Sequence, residues 1–231
     1  MPTFCLNVVR RLTADEVVAA YGAGPGRLRQ LSLAEADSRY PMAQGGTLLR
    51  VGRLGDWTFC FEAREAEGFK PGVLARLSER SAVVSLFYAD GMTVLERLEE
   101  GRLVERFEPG QRSPAQGSGP HTLHEDVRAE LRNSTTPSTT EAALRVIARH
   151  IGAEIPWATL AGPLATVVLD QAEREPLAPA PHFAAPAADG PAPGLGRSLG
   201  GLDLPIDPLQ ISRRPGRSAL PLAGERTGPC R

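Results

Sequence analysis

The residues of this 231-residue chain best suited to chemistry fall into three groups. His121, His124, Glu125 and Asp126 stand together in P-H-T-L-H-E-D at a predicted helix start. Two histidines three apart share a helical face, and with a carboxylate they could hold a divalent metal. The plainer reading is that acidic residues suit the positive end of a helix and the histidines are solvated. A metal also needs a further ligand at a defined distance. No metal is therefore assigned, and His121, His124 and Glu125 stand as its candidates.

Glu96 and Glu105 form the second group. They face each other if strands 92–98 and 102–107 turn at Glu100-Gly101, a pairing that also sets Leu98 against Leu103 and Val94 against Phe107. Facing carboxylates destabilise a sheet unless something offsets them, and an acid/base pair or a cation site would use them. A wet face with nearby arginines, or a register displaced by one residue, accounts for them with less. The third group is Arg50, Glu62 and Arg64, on or near the polar side of a central hairpin. They could read a small polar ligand or a partner, although such residues are commonly just the solvated side of an antiparallel sheet. No G-x-S-x-G elbow is present. The glycine-rich Y-G-A-G-P-G-R closes a helix and contains Pro25, whereas a phosphate loop opens a helix. The sequence implies no cofactor and no catalytic residue.

The elements that must position these groups centre on Thr47 to Tyr88, which holds four of the seven phenylalanines. Trp57, Phe59 and Phe61 alternate on one strand, and Leu49 and Val51 on another. A three-residue loop, Leu54-Gly55-Asp56, pairs Leu49 with Phe61, Val51 with Phe59 and Arg53 with Trp57. A two-residue loop would set Arg50 opposite Phe61 and Gly52 opposite Phe59. A one-residue slip exchanges faces, so the apolar match favours the longer loop, leaving Arg50, Cys60 and Glu62 together on the other face.

Around this hairpin, residues 3–9 read as a strand. Thr13 and Glu16 form a capping box that opens a helix ended by Gly22. A short helix is expected at Leu33–Asp37 within a connector. Pro71 starts another helix, with Val73, Leu74 and Leu77 inward. Residues 82–88 are a strand. Two late helices follow, one with Leu123, Val127 and Leu131 on a face. The other opens with Ser138 and Glu141, carries Leu144, Ile147, Ala148 and Ile151 as its stripe, and stops at Gly152. Leu164 to Leu169 reads as a closing strand.

Composition narrows the possibilities. The net charge of −1 gives no electrostatic case for nucleic acid or anionic lipid. Of the 26 basic residues only Lys70 is a lysine. Cys5, Cys60 and Cys230 are odd in number at unrelated spacings, which builds no disulfide framework. The charges near the N-terminus follow a short apolar run, the wrong order for a secretory signal, and no run is long enough to span a bilayer. These features point to a reduced, cytoplasmic protein. After Glu175 come eleven of the 21 prolines, eight glycines and one aromatic residue. Such a segment buries too little apolar area to offset its chain entropy. The expected organisation is one domain over 1–171 and a disordered Pro/Gly-rich tail over 172–231.

Several stretches resemble a family of uncharacterised, mainly actinobacterial proteins, the domain of unknown function 6461. They are F-C-L-N-V-V-R-R-L-T-A-D-E-V-V-A-A-Y-G, V-G-R-L-G-D-W-T-F-C-F-E, P-G-V-L-A-R-L-S before V-V-S-L-F, E-G-R-L-V-E-R-F-E-P, and A-A-L-R-V-I-A-R-H-I-G. The resemblance covers about residues 3–170 and implies a fold but no activity. The fold class that follows is α+β: a mostly antiparallel sheet of about six strands with helices on one face. The function reading is a non-enzymatic binding or interaction module, with another protein as the partner. The alternative is a small-molecule hydrolase, or another enzyme using carboxylates and histidine.

Overall fold

The computed structural model describes residues 3–41, 46–63, 66–133 and 138–169. Arg64 and the Pro/Gly-rich segment 172–231 lie outside the described residues. In chain order the elements are β1 (Phe4–Arg10), α1 (Ala14–Ala20), β2 (Arg29–Leu31), α2 (Leu33–Arg39), β3 (Thr47–Leu54) and β4 (Trp57–Ala63). Then come α3 (Pro71–Ser78), β5 (Ala82–Ala89), β6 (Met92–Glu99), β7 (Arg102–Phe107), α4 (Thr122–Asn133), α5 (Thr139–Ile151), α6 (Trp157–Ala161) and β8 (Leu164–Leu169). One antiparallel sheet runs in the order β2-β8-β3-β4-β1-β5-β6-β7. The α+β class and the antiparallel sheet are as expected, but among the described residues the strands number eight rather than about six. β2 is too short, at three residues, to show an alternation.

Local signals read correctly where the chemistry is local. Thr13 caps α1 and Glu16 reaches back to it, and Ser32 and Glu35 do the same for α2. Ser138 accepts from Glu141 N at the start of α5, and Gly152 closes that helix at φ +70°. The inward stripe of α5 differs from expectation. It is Ala142, Ala143, Val146, Ile147 and Ile151, while Leu144 faces solvent.

Helices cover both faces of the sheet, not one. On the first face Val17, Val18, Val73, Leu74 and Leu77 of α1 and α3 pack against Val9, Leu49, Val51, Val83, Leu98 and Val167. On the second, Leu123, Val127, Val146 and Ile147 of α4 and α5 pack against Leu6, Val8, Phe59, Val84, Leu86 and Leu95. Five consecutive residues of β1, Cys5 to Val9, are buried, as are six of β6, Thr93 to Arg97 and then Leu98. Strands buried on both sides lose the polar half of their alternation.

That double burial overturns the register expected for β3 and β4. Leu49 lies opposite Glu62, Arg50 opposite Phe61, Val51 opposite Cys60 and Gly52 opposite Phe59, so the loop is the two residues Gly55-Asp56. Matching apolar to apolar across the hairpin assumed a single core. With two, Leu49 and Val51 enter one core and Phe59 enters the other. Gly52 is no misfit beside Phe59: a Cβ there would lie 2.4 Å from the ring, so the glycine makes the room the ring fills. Gly55, at φ +58°, supplies the left-handed turn residue.

In the β6–β7 hairpin Leu98 faces Leu103 as expected, but a bulge then shifts the pairing by one residue. Leu95, not Val94, faces Phe107; Glu96 faces Arg106 and Arg97 faces Glu105. The segment after β7 lies along its outer edge. Arg106 and Gln116 exchange backbone hydrogen bonds, and Gly119 N donates to the bulged Val104 carbonyl. This covers an edge that would otherwise expose unpaired groups.

Candidate binding site

The bulge places the two suspected carboxylates on opposite faces of the sheet. Glu105 faces the α4–α5 side. Its carboxylate accepts from Leu123 N at 3.3 Å and His124 N at 3.1 Å, so it caps α4 from a neighbouring strand. Arg97 Nε lies 2.9 Å from it, and Arg97 Nη2 donates to the Pro120 carbonyl at 2.7 Å. Both charges are buried and each has several partners, which makes this a structural unit that anchors α4 to the sheet.

Glu96 belongs to the first face, where cross-strand pairing forms a row that was not anticipated: Cys60, Asn7, Ser85, Glu96 and Arg106, on β4, β1, β5, β6 and β7. A short turn, Glu67–Phe69, sits over it and ties it down. Asn7 Nδ2 donates to Tyr21 Oη at 3.0 Å and to the Gly68 carbonyl at 3.1 Å, while Gly68 N donates to Glu62 Oε2 at 2.7 Å. The approach is close: a Cβ on Gly68 would lie 2.2 Å from Tyr21 Oη and 2.4 Å from Asn7 Nδ2. Burial raises the Cys5 and Tyr21 pKa values well above the usual range, and raises Cys60 to about 12. These thiols and this phenol are neutral and unreactive at physiological pH. The signal for the row was the lone polar residue in each of two apolar strands, Asn7 in F-C-L-N-V-V and Ser85 in V-V-S-L-F.

At the Glu96 end the row opens into a cavity of about 320 Å³ lined by Ala66, Phe69, Lys70, Pro71, Glu96 and Arg106. Glu96 is only 1% exposed. Its Oε1 takes Arg106 Nη1 at 3.0 Å, but its Oε2 is buried without a hydrogen bond. Burial, opposed by Arg106, raises its pKa from 4.5 to about 7. Ser85 Oγ, beside the Cys5 thiol, also makes no hydrogen bond of normal geometry. Arg106 lies over the Phe69 ring at 5.6 Å, and that ring stacks on Phe87 with centroids 4.5 Å apart. Lys70 is held by Glu67 at 2.7 Å. A larger apolar groove, about 710 Å³, runs along α5 on the opposite side of the sheet. Its rim residues Arg145 and Arg149 are bound to Glu130, so the groove offers volume without convergent polar chemistry.

The other sequence candidates do not meet. Arg50 and Glu62 are both buried, on opposite faces, rather than side by side on a wet one. Arg50 donates to the Leu31 and Gly162 carbonyls, and burial lowers its pKa. Arg64 lies outside the described residues. Glu125 is exposed in the first turn of α4, and His124 packs against Phe107 with burial lowering its pKa. His121 Nε2 is buried without a hydrogen bond. Among the described residues no group of three or more His, Cys, Asp and Glu is placed to hold a metal. No described helix is long and apolar enough to cross a membrane.

Residues 1–145 match the model of a family described as a family of unknown function, DUF6461; that is more than half of the chain, and the chain belongs to this family. The match ends inside α5, short of the 170 reached by the resemblance, although β8 beyond it sits between β2 and β3 in the sheet. No curated protein and no solved structure matches the chain.

Proposed function

We propose that this member of the DUF6461 family is a non-enzymatic binding module whose recognition site is the cavity at the Glu96 end of the polar row. One observation carries the reading: a buried carboxylate, one of its oxygens without a hydrogen bond among the described residues, lines a cavity beside an aromatic ring. Leaving such an oxygen unsatisfied costs about 1–3 kcal/mol or more for a charged group, a cost a bound donor would recover. The cavity is also near the lower size range of small-molecule sites.

The enzyme reading draws on a different property of the same residue. A carboxyl titrating near 7 suits a general base at physiological pH. A hydrolase, however, needs a second acid/base or a nucleophile beside it. Glu105, His124 and His150 pack on the other face of the sheet, and the remaining charged residues lining the cavity are Arg106 and Lys70. This distribution supports binding over turnover.

A thermal-shift screen of the full chain against mixtures of small polar molecules tests the reading. The expected result is stabilisation by at least one compound that disappears in Glu96→Gln. Turnover of a bound compound would favour the hydrolase instead. A complete absence of Glu96-dependent binders would remove the proposal.

A further inference from the structure

We infer that the Glu96 cavity recognises the cationic end, a guanidinium or ammonium, of a small free molecule. The inference rests on the binding-module reading and names the ligand class. Its support is that the chain already places a cation there itself. The Arg106 guanidinium is at once paired to Glu96 Oε1 at 3.0 Å and laid over the Phe69 ring at 5.6 Å. Carboxylate below and ring face beside is the arrangement that selects a flat or compact cation.

Arg106 does not fill the arrangement. Its side chain is 40% exposed, against 2% for Glu96, so the guanidinium reaches in from the solvent side. Glu96 Oε2 keeps no partner. An incoming cation can take over the place of Arg106 on Oε1, since that guanidinium loses little by returning to water. The ring of Phe69 is fixed for this task from behind by Phe87 at an interplanar angle of 15°.

Size and charge limit the ligand further. At about 30 Å³ per water-sized volume, the cavity of about 320 Å³ holds roughly ten non-hydrogen atoms, which favours a small amine or guanidine over a folded partner's surface. Among the described residues, the charged groups facing Glu96 are Arg106 from β7 and Lys70 with Glu67 from the segment above; Cys5 and Glu62, paired across β1 and β4, lie in the adjacent row. Since Lys70 is held by Glu67, the half-exposed Arg106 is what balances the carboxylate among the described residues. An anionic ligand would have to approach a carboxylate whose own cation is already engaged.

The test is calorimetric titration of the full chain with agmatine and with butylamine, using adipate and hexanediol as anionic and neutral comparators. Measurement at about pH 9 keeps Glu96 ionised, above its titration near 7. The wild-type chain should bind the two cations and neither comparator. Glu96→Gln should weaken binding by about tenfold or more, since it removes a charge-assisted hydrogen bond. Phe69→Leu should weaken it by a few-fold, the size of an exposed cation–π contact. Arg106→Ala should tighten it, because the variant removes the resident competitor. A residue serving only to hold the fold would weaken binding when removed, so weaker binding in Arg106→Ala overturns the inference. Glu96-dependent binding of adipate or hexanediol alone would overturn the ligand class and leave the module reading intact. If none of the four probes binds and the wider screen is also empty, both fail.

Discussion

Glu105 and Glu96 come from neighbouring strands of one hairpin, each paired with an arginine and each buried, yet the sheet puts them to different uses. Glu105 is surrounded: Arg97 on one side, two backbone N–H groups of α4 on the other, with Arg97 itself held by the Pro120 carbonyl. Among the described residues Glu96 has a single, partly exposed partner and an oxygen with none. A buried carboxylate with a hydrogen-bond donor on each oxygen fixes the fold. One whose bonds are incomplete costs stability, and the structure keeps it at a cavity.

Several substitutions would sharpen or break this contrast. Glu105→Ala should cost most, about 3–5 kcal/mol, because it strands Arg97 and uncaps α4; urea unfolding at neutral pH measures it. A loss below about 1 kcal/mol, the worth of a surface pair, would erase the distinction between the two carboxylates. Gly68→Ala should follow, at about 1–3 kcal/mol, since the added methyl meets Tyr21 and Asn7 and pushes the covering turn off the row. Its midpoint in urea should fall while α4 keeps its helical signal.

Glu96→Gln tests the open side through pH. The folded-state pKa of about 7 is raised above the ordinary 4.5, so the native state binds more protons than the unfolded state between those values. Stability should therefore be greatest below about 4.5 as far as this group is concerned, decline as pH rises to about 7, and level off above it. The decline should be on the order of 1–3 kcal/mol and absent in Glu96→Gln. A variant with the wild-type slope would show that Glu96 is ordinary. Arg149→Ala, which cuts one exposed bond to Glu130, should change stability by about 0.2–1 kcal/mol, and double-mutant cycles with Glu130→Ala would measure the pair directly.

The elements that sequence revealed are those whose cause lies within a few residues. Capping by Thr13 and Ser138, the stop at Gly152 and the start at Pro71 each depend on a local hydrogen bond or a local dihedral. The candidate site was only partly legible. The hairpin pattern singles out Glu96 but sets it opposite Glu105, whereas it faces Arg106. Asn7 and Ser85 give no such signal, because a single polar residue in an apolar strand carries no meaning without its cross-strand neighbours.

The sequence by itself determined the α+β class, the positions of most helices and strands, and membership cues for the family. Tertiary structure decided the rest, for one physical reason. Side-chain direction along a strand has period two, so one bulge or one turn residue moves every group beyond it to the other face. The bulge between Arg97 and Leu98 separated Glu96 from Glu105, and the Gly55-Asp56 turn separated Arg50 from Glu62. With helices on both faces, either side could receive an apolar residue, and composition alone held no preference between them.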